Sequence, residues 1–461
     1  MLLFLIEKCF IAFYSNRVIL LTEYGIVMIT TKYVREHIDI IKESLKKRQS
    51  QYPIDELLSL DLDYRKMQTE LQELQAKRNK ASLDISVMKK TGKSTDTEII
   101  ALRTLKDRIE SIEAEMPSYK IRIEELLWNM PNVLHETVPF GVDDSENKVI
   151  KTYGTKKEPL DNRTHEDILL KNGLVDLERA AKIAGSRFYY LKGDLVLLEQ
   201  SLIRFALDML EKRNFTIIQP PFMLRKEFYK GATALGDFED ALYKVEDPKE
   251  LESKKEFEKL GDELFMISTS EHSMAAMYSN ELLDVKNLPI KLVGVSPCFR
   301  REAGSHGKDT KGIFRVHHFY KIEQFVFSKV EESWKIFDEL FKNSEDIYQK
   351  LELPYQVVNV CTGDIGSVAA KKYDIEGYMP RQQKYRELVS CSNCTDWQSL
   401  RLDIKYDEKG ERKYVHTLNS TAIATERTMV AIIENYTDEK GIIHIPKVLI
   451  PYMGKETLSK I

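Results

Sequence analysis

Residues 296–327 have the sequence SPCFRREAGSHGKDTKGIFRVHHFYKIEQFVF, in which a polar, glycine-containing segment separates two apolar runs. The first run covers 292–299 and the second covers 319–327. Apolar runs of this length on both sides of a polar segment are typical of two strands joined by a loop. We therefore expect a β-hairpin whose connecting loop is polar.

Arginines, carboxylates and an aromatic ring lie at the two ends of this loop. Arg300, Arg301 and Glu302 precede it, and Arg315, Phe319 and Glu323 follow it. Guanidinium groups donate paired hydrogen bonds to phosphate oxygens, an aromatic ring stacks on a base, and a carboxylate accepts from an exocyclic amine. Together these groups predict a site for a nucleoside polyphosphate, although a single arginine taken alone is better explained as a solvated surface charge.

Length and composition limit the possible classes of protein. With 461 residues, of which 43% are hydrophobic, the chain can bury a large core and form two or three domains. The net charge of −4 excludes a basic coat over the whole surface, so any contact with RNA must be local. Five cysteines, an odd number in a long chain, favour reduced thiols and a cytoplasmic location over a disulfide framework.

The first 27 residues differ from the rest of the chain. They are apolar and aromatic, but Glu7, Lys8, Arg17 and Glu23 interrupt each run before it is long enough to span a bilayer. A signal peptide is the alternative, and the charges within its apolar region argue against it. We expect residues 1–27 to be a misplaced translation start or an extension without function, the functional chain to begin near Met28, and no association with a membrane.

Apolar and long side chains recur between residues 60 and 126 in alternating steps of four and three. They are Leu60, Tyr64, Met67, Leu71, Leu74, Arg78, Ala81, Ile85 and Met88, and then Leu102, Leu105, Ile109, Ile112, Met116, Tyr119, Ile123 and Leu126. This heptad spacing predicts two long helices, and the short turn around Gly92 favours their folding back on each other within one chain. A coiled coil between two chains has the same spacing and stays the alternative.

Lysines and arginines are frequent on the outward faces of these two helices. They are Lys77, Lys80, Lys89, Lys90, Lys93, Arg103, Lys106 and Arg108. Basic side chains on a projecting rod can follow a phosphate backbone without reading bases. The same side chains would also keep an exposed helix soluble, so their composition alone leaves both explanations open.

Further polar side chains follow predicted strands and helices in the second half of the chain. Residues 264–271, LFMISTSE, end an apolar run with hydroxyls and a carboxylate, which suit an α-amino group. Residues 425–436 have helical spacing with Arg427 in the first turn, where a cation opposes the helix dipole and so indicates an anionic ligand.

Residues 385–398, YRELVSCSNCTDWQ, contain a CxxC formed by Cys391 and Cys394. This is the spacing of a zinc site, but no second cysteine or histidine pair accompanies it at metal-ligand spacing. We therefore expect reduced, partly buried thiols at these positions and no structural zinc.

Taken together, the segments resemble the three signature motifs of class II aminoacyl-tRNA synthetases, and their residues are similar to those of seryl-tRNA synthetases. A helical run followed by TIIQPP, 195–221, resembles motif 1, and 296–327 resembles motif 2. YVHTLNSTAIATERTMVAIIENY, 414–436, resembles motif 3 in the form found in archaeal and eukaryotic members. The SCSNC phrase resembles the common type of the family, not the methanogen type with its catalytic zinc.

The resemblance, which covers about 28–454, implies an α+β fold. Its catalytic domain, 136–461, would be an antiparallel β-sheet flanked by helices. It would follow a tRNA-binding domain, 28–135, with a long antiparallel two-helix coiled-coil arm. Motif 1 of the family builds the interface of a homodimer.

The resemblance also implies the site residues and the ligands, which are ATP with Mg²⁺ and L-serine. For ATP they are Arg300, Arg301, Glu302, Arg315, Val316, Phe319, Glu387, Leu388, Val389, Ser390 and Arg427. For serine they are Thr269, Ser270, Glu271, Arg300, Glu323, Asn419 and Thr421. Arg300 and Arg427 would be catalytic, and Glu387 and Ser390 would hold Mg²⁺ against the ATP phosphates.

The implied activity is that of an ATP-dependent ligase. It would convert serine and ATP to seryl-adenylate and pyrophosphate, and then transfer serine to the 3′ end of tRNA(Ser). tRNA(Sec) is a second candidate substrate. Two alternatives remain: a descendant that only binds RNA or a partner, and a ligase that activates an amino acid for a carrier protein. The charged residues of all three motifs argue against the first, and the long arm argues against the second.

Overall fold

The computed structural model describes residues 31–234, 241–245, 263–302 and 312–461. The predicted extension, 1–27, and most of the central loop lie outside the described residues. Within the described ranges the α-helices are α1 (Thr31–Glu36), α2 (Ile38–Lys47), α3 (Ile54–Lys90), α4 (Asp96–Asn129), α5 (His165–Lys171), α6 (Leu177–Ala184), α7 (Asp194–Glu211), α8 (Lys226–Ala232), α9 (Ser270–Ala276), α10 (Ser333–Lys350), α11 (Trp397–Leu402), α12 (Thr425–Tyr436) and α13 (Ile450–Met453).

The strands of the same ranges form one large sheet and three small ones. They are β1 (Lys148–Tyr153), β2 (Val175–Asp176), β3 (Tyr190–Leu191), β4 (Thr216–Ile218), β5 (Met223–Arg225), β6 (Lys244–Val245), β7 (Leu264–Met266), β8 (Leu282–Leu283), β9 (Ile290–Phe299), β10 (His318–Ser328), β11 (Tyr355–Asn359), β12 (Lys371–Met379), β13 (Lys384–Thr395), β14 (Lys405–Glu408), β15 (Glu411–Tyr414) and β16 (His416–Ala424). The large sheet has eight strands in the order β1-β11-β12-β13-β16-β10-β9-β4.

The predicted hairpin is confirmed near one edge of this sheet, next to the edge strand β4. Strands β9 and β10 pair antiparallel, with His318 opposite Phe299 next to the loop. All neighbouring strands of the large sheet are antiparallel except β4, which follows α7 and pairs parallel with β9 at the edge. The expected α+β fold is therefore confirmed.

Alternation along β10 gives the sheet two chemically different faces. Lys321 and Glu323 face the cleft, while Ile322 and Val326 face the other side and are fully buried in the main core. Helices α7, α10 and α12 pack on the apolar side and complete that core. The opposite side carries a second apolar cluster that includes Phe325 and Phe327, and beside it the polar side chains of the candidate site.

The two long helices α3 and α4 pack against each other within the chain, so the intrachain hairpin is confirmed. Side chains of the heptad seam, including Ile85, Ile109 and Ile112, are buried between them. Ion pairs also cross from one helix to the other, between Glu70 and Arg108 at 2.8 Å and between Glu56 and Arg122 at 2.8 Å. At about 1.5 Å per residue, the 37 residues of α3 extend roughly 55 Å.

The root of the arm is anchored in its own apolar cluster. Leu57 from α3 and Leu126 from α4 pack with Ile41 of α2 and with Leu400 of α11, which belongs to the other half of the chain. The arm is therefore attached to the body by packing as well as by the chain itself. No helix within the described ranges is both long enough and apolar enough to cross a membrane.

Candidate active site

The polar face of the sheet borders a cleft of about 450 Å³. Its walls come from the β9–β10 hairpin, the start of α9, the segment 364–369, strands β12, β13 and β16, and the first turn of α12. Ten of the residues predicted from the sequence line it: Thr269, Glu271, Arg300, Glu302, Arg315, Glu323, Ser390, Asn419, Thr421 and Arg427. Segments that are far apart in the chain therefore meet at one place.

Other predicted residues lie near the cleft with their side chains directed elsewhere. The side chains of Ser270, Val316, Leu388 and Val389 are buried in the protein interior, so these four residues can offer a ligand only their backbone groups. Arg301 is exposed and does not line the cleft, but its backbone N–H donates to the carbonyl of Ala241, a cleft residue, at 2.8 Å. The ligand contacts predicted for these residues stay predictions.

Arg300 lies just after β9 and projects its guanidinium into the cleft. Its Nε donates to the backbone carbonyl of Ser268 at 3.4 Å, and its guanidinium carbon lies 5.2 Å from the centre of the Phe319 ring. This cation–π contact fixes the plane of the guanidinium before a ligand binds. The Phe319 ring, predicted to stack on a base, thus also supports an arginine.

Glu302 and Arg315 face each other where the loop leaves and re-enters the hairpin. Arg315 Nη1 lies 3.2 Å from Glu302 Oε2, and Arg187 reaches the same oxygen at 4.0 Å. The backbone of Glu302 has φ 52°, in the left-handed region that residues with a side chain rarely adopt. Such strain is frequent at functional sites, which agrees with the position of Glu302 at the cleft.

Glu323 lies at the bottom of the cleft and is only 1% exposed. Its Oε2 accepts hydrogen bonds from Lys321 Nζ at 2.7 Å and from Thr421 Oγ1 at 3.2 Å. A bulge in the pairing of β10 with β16 skips Ala422 and places Thr421 opposite Glu323. Burial raises the pKa of the Glu323 carboxyl, and the charge of Lys321 opposes that rise.

Glu271 lies in the first turn of α9, whose N-cap is Thr269. Thr269 Oγ1 accepts the Glu271 backbone N–H at 3.2 Å, which satisfies one donor of the helix start. The amide groups of Gln398 and Asn419 both donate to Glu271 Oε1 at 3.0 Å. Burial, with the negative charge of Glu323 as the second cause, raises the pKa of Glu271 to about 7.

Arg427 lies in the first turn of α12 and contacts the half-exposed Glu387 of β13. Its Nη1 lies 3.3 Å from Glu387 Oε2 and donates to the Glu387 carbonyl at 3.0 Å. Desolvation raises the pKa of Glu387, but the charges of Arg427 and Lys372 outweigh it and hold that pKa low, at about 2. Glu387 is therefore ionised at any physiological pH.

Oxygen atoms of β12 and β13 meet beside Glu387. Ser390 lines the cleft and lies opposite Asp374 in the pairing of the two strands. Within the described ranges, Asp374 Oδ1 is buried without a hydrogen-bond partner. A carboxylate, a hydroxyl and an orphaned carboxyl oxygen are the hard donors that Mg²⁺ prefers, so these residues fit that ion.

Cys391 and Cys394 lie on the same strand, and both are fully buried, whereas partial burial was predicted. Burial raises the pKa of both thiols, so they are protonated and unreactive. The Cys394 sulfur accepts a hydrogen bond from Asn419 Nδ2 at 3.6 Å. That these cysteines bind no zinc stays a prediction.

Several residues that line or support the cleft were missed by the sequence reasoning. They are Lys321, His272, Lys372, Asp374, Gln398 and the segment 364–369. A signal was available for Lys321, because on a strand it shares a face with Glu323. For the others no local pattern points to the cleft, since the pairing of strands and the packing of α11 bring them there.

Comparisons with known proteins agree with this geometry. The seryl-tRNA synthetase N-terminal domain matches residues 28–134, and the tRNA synthetase class II core domain (G, H, P, S and T) matches 243–436. Serine–tRNA ligase of Thermococcus sibiricus is 48% identical over 94% of this chain and 98% of its own length. Serine–tRNA ligase of Methanospirillum hungatei is 48% identical over 93% of this chain and 99% of its own length.

Solved structures give the same result. The crystal structure of seryl-tRNA synthetase from Pyrococcus horikoshii complexed with ATP has a TM-score of 0.86 at 44% identity, covering 94% of this chain and all of that one. Cytoplasmic serine–tRNA ligase from Naegleria fowleri in complex with AMP has a TM-score of 0.81 at 35% identity, covering 94% of this chain and 99% of that one.

Proposed function

Because this chain belongs to the seryl-tRNA synthetase family, we propose that its cleft activates L-serine with ATP and that the enzyme then transfers serine to tRNA. The observation that supports this assignment most strongly is the convergence of ten predicted residues from distant segments on one cleft. That cleft offers arginines at one end and buried carboxylates with hydroxyls at the other. A polyanion and a small amino acid can therefore lie side by side in it.

In the first step, an oxygen of the serine carboxylate attacks the α-phosphorus of ATP. A new phosphorus–oxygen bond forms, the bond to the β-phosphate breaks, and pyrophosphate leaves. No side chain needs to act as a nucleophile, so the protein contributes position and charge. In the second step, a ribose hydroxyl of the terminal tRNA adenosine attacks the adenylate carbonyl, and AMP leaves.

The arginines are assigned to the phosphates of ATP. Arg300, held by Phe319 and the Ser268 carbonyl, stabilises the charge that develops on the α-phosphate. Arg315 and Arg427 bind the outer phosphates. To do so they give up their contacts with Glu302 and Glu387, and Glu302 then accepts from the adenine amine.

The carboxylates and hydroxyls are assigned to serine. Glu271 and Thr269 accept from its ammonium group, and Asn419 orients Glu271 through the hydrogen bond of 3.0 Å. Glu323 and Thr421 face its hydroxyl. Lys321 and Thr421 already hold Glu323 in place, so the groups that contact the serine hydroxyl are oriented before serine binds.

Glu387 and Ser390 are the residues that would hold Mg²⁺, with Asp374 beside them. When bound, the ion neutralises charge on the phosphates of ATP. The low pKa of Glu387 keeps this carboxylate ionised and available for that role.

The arm is proposed to bind tRNA(Ser), and tRNA(Sec) is a second candidate substrate. Most of its basic side chains are exposed along both helices, but Arg108 is held by Glu70 and is a weaker candidate for phosphate contact. We further propose domains at 28–135 and 136–461, a homodimer formed through α7 and β4, and action in the cytoplasm.

Pyrophosphate exchange into ATP, measured with each amino acid in turn, tests the assignment. We expect exchange that depends on serine, and charging of tRNA(Ser) when tRNA is added. Exchange without any tRNA charging would favour a ligase for a carrier protein, and no exchange with any amino acid would favour a protein that only binds RNA.

A further inference from the structure

The six-residue helix α11 joins the root of the arm to the serine end of the cleft. Its side chains Gln398 and Arg401 are almost completely buried, at 0% and 1% exposure. They lie three residues apart on the same helix but contact different parts of the molecule. Neither residue has a role in the proposed reaction so far.

Arg401 contacts the end of the arm helix α4. Its Nη2 donates to the carbonyls of Leu127 at 3.2 Å, Trp128 at 2.9 Å and Met130 at 3.0 Å. The last carbonyls of a helix have no partner within the helix, and a cation there also complements the helix dipole. Arg401 therefore caps α4 from outside the arm.

The indole of Trp397 adds further contacts between α11 and the end of α4. Its ring centre lies 3.5 Å from the guanidinium carbon of Arg401, and its Nε1 donates to the Met130 carbonyl at 3.0 Å. Leu400 adds an apolar contact with the cluster at the root of the arm. The end of α4 thus holds α11 in addition to the packing of α11 against α8 and β16.

Gln398 contacts the serine end of the cleft. Its Nε2 donates to Glu271 Oε1 at 3.0 Å and to the carbonyl of Ala232 at 2.8 Å. These two acceptors leave the amide little freedom, so the carboxylate of Glu271 has a fixed orientation. A displacement of α11 would move this amide and leave the Asn419 amide as the other donor to Glu271 Oε1.

We propose that Arg401 and Gln398 are positioning residues for serine binding: Arg401 fixes α11 against the root of the arm, and Gln398 on the same helix fixes Glu271. The inference rests on the proposed function, in which Glu271 accepts from the serine ammonium. With these two residues, the geometry of the serine site depends on how the arm is attached to the body. The phosphate end of the cleft is built from the hairpin and α12 and has no such dependence.

The test uses pyrophosphate exchange by the full chain, with serine and ATP varied separately. Gln398→Met keeps the volume but removes the donor, and we expect the KM for serine to rise about tenfold, with the KM for ATP within twofold of wild type. Arg401→Lys keeps the charge but loses the several coplanar N–H donors of the guanidinium, and we expect the KM for serine to rise about threefold. The control is Arg179→Lys, an arginine on α6 with an 80% exposed side chain.

A double variant decides whether Arg401 acts through Gln398. We expect Arg401→Lys to have no further effect on the KM for serine in the Gln398→Met background. If Arg401 acts only through Gln398, its effect disappears once Gln398 has lost its donor. Independent, multiplicative effects would overturn the inference, and so would equal rises in the KM for serine and ATP. If Arg401→Lys does not fold, Trp397→Phe, which removes the indole donor and part of the ring that contacts Arg401, takes its place under the same criteria. Wild-type enzyme without serine-dependent exchange would instead refute the proposed function.

Discussion

Replacement of Glu323 by glutamine should reduce the preference for serine over alanine. The carboxylate is 1% exposed and accepts from Lys321 Nζ at 2.7 Å and Thr421 Oγ1 at 3.2 Å. Serine would place its hydroxyl against this group. Alanine has no hydroxyl, so it would leave one acceptor position of this buried carboxylate unpaired, beside the positions that Lys321 and Thr421 fill.

The size of the effect follows from the burial of this carboxylate. Leaving a buried polar group unpaired costs about 1 to 3 kcal/mol, which is roughly a 5- to 150-fold difference in kcat/KM. A neutral amide is less costly to leave unpaired than a carboxylate, and its own donor can contact Thr421. We therefore expect Glu323→Gln to lower the ratio of kcat/KM for serine over alanine by at least about fivefold.

The assay is pyrophosphate exchange with serine and alanine as alternative substrates. Glu331→Gln is the matched control, because it makes the same chemical change at a side chain that is 58% exposed and lies outside the cleft. An unchanged serine-to-alanine ratio in Glu323→Gln, with a folded protein and a normal control, would refute the reasoning. Recognition of the hydroxyl would then pass to Thr421.

Three further predictions concern catalysis, the arm and pH. Arg300→Ala should lose pyrophosphate exchange by at least about two orders of magnitude, because one preorganised donor contributes about 2.7 to 4 kcal/mol, and exchange at the wild-type rate would remove this arginine from the mechanism. Replacement of 70–115 by a short linker should preserve exchange but abolish tRNA charging, since the cut spares Leu57 and Leu126 in the root cluster; charging that survives would exclude the arm as the tRNA contact. Because the pKa of Glu271 is raised to about 7 and only its ionised form attracts an ammonium, kcat/KM for serine should rise from about pH 6 to about pH 8, and a flat profile would contradict this role.

Patterns with a short period were sufficient to predict the local structure. The hairpin at 292–327 was predicted from apolar runs around a polar loop, and the arm from a heptad seam interrupted at Gly92. Both depend on which face of a strand or helix is apolar, and that information lies within a few neighbouring residues. The hairpin pattern also predicted that Arg300 and Glu323 lie in one site, because the pairing of its two strands brings residues from both sides of the loop together.

The sequence by itself therefore determined the architecture and ten of the residues that line the cleft, together with a family resemblance that the comparisons support. Only the tertiary structure decided how those residues are held. Asp374 meets Ser390 through strand register, Thr421 reaches Glu323 because a bulge skips one residue, and Gln398 reaches Glu271 because α11 packs against α8 and the end of α4. These contacts join residues far apart in the chain, where small shifts in register or packing change the partner, so no local pattern can specify them.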